Sequence, residues 1–117
     1  LDVTHKALML PEHVDRLEAF DTPVSRAAVG MLRFYERYDV DKYDIPGAPL
    51  HDPCVVAYLV DPTLFVGHRT HVAIGYTDET TIGNTSEVEG MEANATIMTD
   101  VDAERFFDLV VTRVGSL

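Results

Sequence analysis

Apolar positions recur at helical spacing early in the chain. Val14, Leu17 and Phe20 follow Pro11, a residue tolerated in a first helical turn, so the pattern predicts a short helix over Pro11–Phe20 with one face inward. Thr22-Pro23 then supplies an N-cap followed by proline at the first helical position. Beyond it Val24, Ala27, Ala28, Met31, Phe34, Tyr35 and Tyr38 form an apolar stripe, with Arg26, Arg33 and Arg37 mostly off it, which predicts a longer helix from Pro23 to about Tyr38. Gly30 inside that helix costs about 1 kcal/mol relative to alanine and is read as the mark of a close helix crossing.

From Asp39 to Leu50 the period is broken by Pro46, Gly47 and Pro49, and the stretch reads as a loop. Asp52-Pro53 repeats the cap-then-proline start. Cys54 to Val60 is apolar all round, as in a helix buried on most sides, until Asp61-Pro62 stops it. Strands are expected over Thr70–Tyr76, where Val72, Ile74 and Tyr76 share a face, over Thr80–Val88, interrupted by Gly83, and over Asn94–Thr99, as antiparallel neighbours. Asp102 is placed to cap a last helix with Phe106, Phe107, Val110, Val111 and Val114 inward and Gly115 at its end. The opening run Leu1-Asp2-Val3 reads as the end of an interior strand. The fold class is therefore α/β, with helices packed on a short, partly antiparallel sheet.

Composition narrows the classes. At 117 residues and 46% hydrophobic content the chain suits one modest domain. Its net charge of -11, from 20 acidic against 9 basic side chains, repels a phosphate backbone, so nucleic acid is not an expected partner. The longest apolar runs, such as Val55 to Val60, fall short of the roughly 20 residues of a spanning helix. No membrane partner is expected. The single cysteine, Cys54, excludes an intrachain disulfide framework, and with no N-terminal apolar export segment in this sequence a cytoplasmic setting is expected.

The segment His51-Asp52-Pro53-Cys54, where a Pro/Gly-rich loop meets an apolar helix, carries the most chemistry. A helix start offers free N–H groups and a positive dipole end, which hold Asp52 as a carboxylate while His51 projects beside it. An oriented carboxylate can ligate a hard cation, and an imidazole can donate a proton. The bland alternative is an Asp52 N-cap next to a surface histidine. Cys54, inside an apolar run, reads as an inert thiol rather than a partner of His51. Asp39-Val40-Asp41-Lys42-Tyr43-Asp44 imitates the start of a calcium loop but puts Tyr43 where an oxygen ligand should fall, so it reads as a solvated acidic loop. His68 and His71, three apart on a strand, point to opposite faces and are not expected to share a metal. Asn84-Thr85-Ser86 and Asn94-Ala95-Thr96 match the glycosylation pattern, which is frequent by chance.

The run from Gly47 through His51-Asp52-Pro53-Cys54-Val55-Val56-Ala57-Tyr58-Leu59-Val60-Asp61-Pro62 to Phe65 resembles the C-terminal signature of the inosine-uridine preferring nucleoside hydrolases. Leu1-Asp2-Val3-Thr4-His5-Lys6-Ala7-Leu8, Thr81-Ile82-Gly83-Asn84-Thr85, and Asn94-Ala95-Thr96 running on to Val101-Asp102 follow in the family's order. The resemblance implies the C-terminal part of one Rossmann-like α/β domain, residues 1–117, without its N-terminal part. It also implies hydrolysis of the N-glycosidic bond of ribonucleosides with a buried calcium ion. Asp52 would be a calcium ligand, His51 the proton donor to the leaving base, and Tyr43 a residue covering the base; Asp2 and His5 are left as structural. The family's aspartate-rich N-terminal motif, which supplies further calcium ligands and the base that activates water, is not in this sequence. Two functions follow as expectations: part of a nucleoside hydrolase that self-associates, or a stand-alone binding or oligomerisation module that has lost the chemistry.

Overall fold

A computed structural model describes residues 2–43 and 45–117. A short 3-10 helix, Thr4–Lys6, leads into strand β1, Leu8–Met9, and helices α1, Pro11–Glu18, and α2, Pro23–Tyr43. Strand β2, Ala48–Pro49, pairs antiparallel with β1 and delivers the chain to α3, His51–Val60. A second 3-10 helix, Pro62–Leu64, precedes β3, Phe65–Ile74; β4, Thr85–Val88, and β5, Ala95–Val101, flank it antiparallel, and α4, Ala103–Gly115, closes the chain. The expectation of helices packed with a short antiparallel sheet holds.

Helix α4 organises the core. The Asp102 carboxylate caps it by accepting from the Arg105 backbone N–H at 3.1 Å, as its sequence indicates. Phe106, Phe107 and Val111 are almost wholly buried against Val14 and Leu17 of α1, Val29 of α2, and Cys54 and Ala57 of α3. Removing either phenylalanine ring would cost about 3–5 kcal/mol, since the transfer and cavity contributions add. At the start of α2 the expected cap also forms. Thr22 Oγ1 accepts from Ser25 N–H at 3.1 Å, and Ser25 Oγ accepts from Thr22 N–H at 2.9 Å, which satisfies two donors reciprocally.

Several expectations are corrected. Helix α2 runs on to Tyr43, so Asp39–Tyr43 is helical rather than loop, and β2 adds a short strand before Leu50. The inward face of α2 carries Ser25 and Val29, while Val24, Met31, Phe34 and Tyr35 of the apolar stripe are exposed. That follows from the packing partners, α1, α4 and β2, which leave the rest of α2 uncovered. Gly30 meets no neighbour and marks no crossing. Helix α3 buries Cys54 and Ala57 but leaves Val55, Val56, Leu59 and Val60 exposed, Leu59 at 77%, so it is half covered rather than a core helix. Its N-cap is Leu50, not Asp52, which lies one turn position further in. Asp2 and Val3 form a turn, not a strand end, and Leu1 lies outside the described residues.

The sheet begins earlier than expected at β3 and later at β4. Residues 75–84 are instead a closed turn, held by Gly75 N–H to Asn84 O at 2.9 Å, with Gly83 at a φ of 83°. Asn94 extends the β3–β5 pairing through its side chain, accepting from Val72 N–H at 2.8 Å and donating to Val72 O at 3.0 Å. Among the described residues no helix is long and apolar enough to cross a membrane.

Candidate active site

The site forms where the N-terminal segment closes on the start of α3. Leu50 N–H donates to Ala7 O at 3.0 Å, so the residue before His51 is tied to the end of the first 3-10 helix. Gly47 makes that closure possible: a Cβ there would collide with the carbonyl of Met9 across the β1–β2 pair. As a result His51 and Asp52 occupy the first turn of α3 in a fixed register against Thr4 and His5.

His51 is half-buried. Its Nδ1 lies 2.7 Å from Thr4 Oγ1, and its ring centroid is 5.7 Å from that of His5. Asp52 is exposed and makes no hydrogen bond or ion pair among the described residues. It is therefore not spent as a cap. Both residues border a cavity of about 490 Å³, whose other walls include Met31, Leu32 and Tyr35 of α2. A mostly apolar wall broken by the polar groups of Tyr35, His51 and Asp52 suits a flat aromatic ring better than a strongly charged ligand.

Cys54 lies one turn beyond His51 and faces inward. Its thiol donates to Leu50 O at 3.0 Å, and burial pushes its pKa up, so it stays protonated, in keeping with an inert thiol. Tyr43 is the last residue of α2, and its side chain lies outside the described part of the structure. His68 and His71 have separate partners: His68 Nε2 is 2.8 Å from Glu87 Oε2, and His71 Nδ1 is 2.8 Å from Glu92 O. The hydrogen bond to His68 holds the Glu87 carboxyl below its ordinary pKa. Among the described residues no group of three or more His, Cys, Asp or Glu side chains is placed to hold a metal. Asp52 thus fits as one oxygen donor of a hard-cation shell and not as a shell by itself, because calcium takes six to eight oxygens.

Residues 1–108 match the family described as inosine-uridine preferring nucleoside hydrolase. The chain belongs to that family. Among curated relatives of the family, the pyrimidine-specific ribonucleoside hydrolase RihA of Klebsiella pneumoniae (strain 342) is 39% identical over 98% of this chain. RihA of Escherichia coli (strain K12) is 40% identical over 97%. The chain spans only 39% and 38% of those two relatives' lengths. Among solved structures, the purine-preferring ribonucleoside hydrolase from Gardnerella vaginalis superposes with a TM-score of 0.86 at 26% identity, covering 99% of this chain and 38% of that one. A plant nucleoside hydrolase, PpNRh1, gives a TM-score of 0.86 at 22% identity, with 100% and 40% coverage, a likeness of fold. The mixed α/β arrangement described above is therefore a part of the nucleoside hydrolase fold.

The residue that sequence reasoning passed over is Thr4. It sits in the quoted Leu1–Leu8 motif, yet nothing local signals that its hydroxyl meets a histidine 47 positions later.

Proposed function

We propose that this chain forms part of a ribonucleoside hydrolase and contributes the leaving-group acid and one calcium ligand of its active site. The supporting observation is the pairing at the start of α3: a half-buried His51 held by Thr4 beside an exposed, unpaired Asp52, both bordering one largely apolar cavity. Cleavage of an N-glycosidic bond passes through an oxocarbenium-like state, which requires a water on one side of the ribose and a protonated base on the other. His51 donates the proton to the departing base. Asp52 would hold calcium together with oxygen donors from outside this chain; when bound, calcium acidifies and orients a water. Tyr43, at the end of α2, covers the base. Pyrimidine specificity in the name of the RihA relatives and purine preference in that of the Gardnerella enzyme leave the base class to the assay.

The test is ribose release by the protein of the complete reading frame containing this sequence, given uridine, cytidine, inosine and adenosine. Hydrolysis of at least one of them, abolished by chelation and restored by calcium, is the expected result. A calcium-loaded, folded protein that releases no ribose from any of the four overturns the proposal. It would leave the binding or self-association module as the reading, which the exposed apolar residues Val55, Val56 and Leu59 of α3 favour.

A further inference from the structure

His51 meets a hydroxyl on a rigid support. The 3-10 helix carrying Thr4 is closed by Lys6 N–H to Val3 O at 3.0 Å and Ala7 N–H to Thr4 O at 3.1 Å. Lys6 Nζ fastens it to β5, donating to Thr99 O and Asp100 Oδ1, each at 3.0 Å. At the same end of that helix, its C-cap Ala7 accepts from the N–H of Leu50, the residue preceding His51. Thr4 Oγ1 and His51 Nδ1 lie 2.7 Å apart, with the Leu50–Ala7 backbone bond and the Lys6 side chain bracing the short helix that carries Thr4.

We propose that Thr4 is a positioning residue for His51, its Oγ1 accepting a hydrogen bond from Nδ1–H so that Nε2 is the atom that transfers the proton. The inference rests on reading His51 as the leaving-group donor. A threonine oxygen can accept while its own hydrogen serves another partner. With Nδ1–H engaged, the bookkeeping of the step is closed. The bond between the ribose carbon and the base nitrogen breaks, its electron pair goes to the base, and the Nε2 proton follows. The ring is left neutral with its hydrogen on Nδ1, the tautomer that Thr4 stabilises, as the partner of the other ring nitrogen does in hydrolase histidines generally. Water adds its oxygen to the ribose carbon and releases a proton to solvent, from which Nε2 is recharged.

The test uses Thr4→Val and Thr4→Ser in the protein of the complete reading frame, with ring nitrogen-15 spectra of His51 recorded where the imidazole is neutral. The wild type and Thr4→Ser should show the Nδ1–H form, and Thr4→Val should shift toward Nε2–H, the form a free imidazole prefers. In Thr4→Val, kcat on the preferred nucleoside should fall about tenfold or more with KM within about twofold, a share of the 10²–10⁴ attributed to general acids. Thr4→Ser should recover it, and p-nitrophenyl riboside, whose leaving group departs without a proton, should be nearly unaffected. An unshifted spectrum or an unchanged kcat in Thr4→Val overturns the proposal. His51→Ala run beside it separates the causes: if that variant keeps full turnover, the proton-donor reading has failed; if it is inactive while Thr4→Val is normal, only the role of Thr4 has.

Discussion

His13 stacks on Phe107, with ring centroids 3.9 Å apart and planes 12° from parallel, and its Nδ1 accepts from Leu10 N–H at 3.1 Å. The bond satisfies a donor at the start of α1, and it exists only while Nδ1 is unprotonated. Burial lowers the His13 pKa from its ordinary 6.5, the nearby Arg16 acts in the same direction, and Glu12 and Asp108 act against it. The folded state thus binds fewer protons than the unfolded one just below pH 6.5. Its contribution to stability is fully present above about 6.5 and is lost as pH falls through the window beneath it. Urea midpoints measured between pH 7.5 and 5.5 should drop, and His13→Gln should flatten the drop. An equal pH dependence in the two proteins contradicts this account.

The approach of Gly47 to the Met9 carbonyl predicts a second effect. Gly47→Ala forces β1 and β2 apart at the point that delivers His51, and overpacking of this kind costs about 1–3 kcal/mol. Gly30→Ala, on an exposed helical position with open space, should instead stabilise by about 0.4–1 kcal/mol. Paired thermal melts check the two signs. A Gly47→Ala protein as stable as the wild type would mean that the β1–β2 closure does not hold the site.

The contrast between those glycines marks how far the sequence reaches. Caps such as Asp102 and Thr22 are legible because their partners lie three residues away and the chemistry is local. The α4 face is legible too, since an amphipathic period records which side is inward. Helices α2 and α3 mislead because an apolar residue states what it can pack against, not whether a partner is there; Phe34 and Leu59 stay 75% and 77% exposed. Of the site, the adjacency of His51 and Asp52 is written in the chain. Their environment is not: the N-cap passed to Leu50, which frees Asp52, and Thr4 arrives from the far end of the described segment.

Those uncovered faces carry a prediction of their own. Val55, Val56, Leu59 and Val60 on α3, and Met31 and Phe34 on α2, expose enough apolar surface that the 117-residue polypeptide should self-associate. Sedimentation should find species larger than the monomer at high concentration, and Val56→Asp with Leu59→Asp should reduce them while leaving helix content intact. A wild-type polypeptide that stays monomeric at high concentration contradicts the expectation.

Donor number sets the calcium behaviour of the same polypeptide. Asp52 offers one carboxylate to an ion that takes six to eight oxygens, so the 117-residue chain should bind calcium only weakly. Calorimetric titration giving a micromolar Kd would show that its donors had been undercounted.

The division of labour between the two neighbours at the start of α3 is tested most directly by measuring calcium affinity and turnover on the same preparations of wild type, His51→Ala and Asp52→Ala, in the protein of the complete reading frame. Asp52→Ala should lose calcium affinity and activity together on every substrate. His51→Ala should keep calcium affinity nearly unchanged while turnover of the preferred nucleoside falls about 10²–10⁴-fold, and by much less on p-nitrophenyl riboside. Full turnover of the natural nucleoside by His51→Ala, or full calcium affinity in Asp52→Ala, would contradict the account.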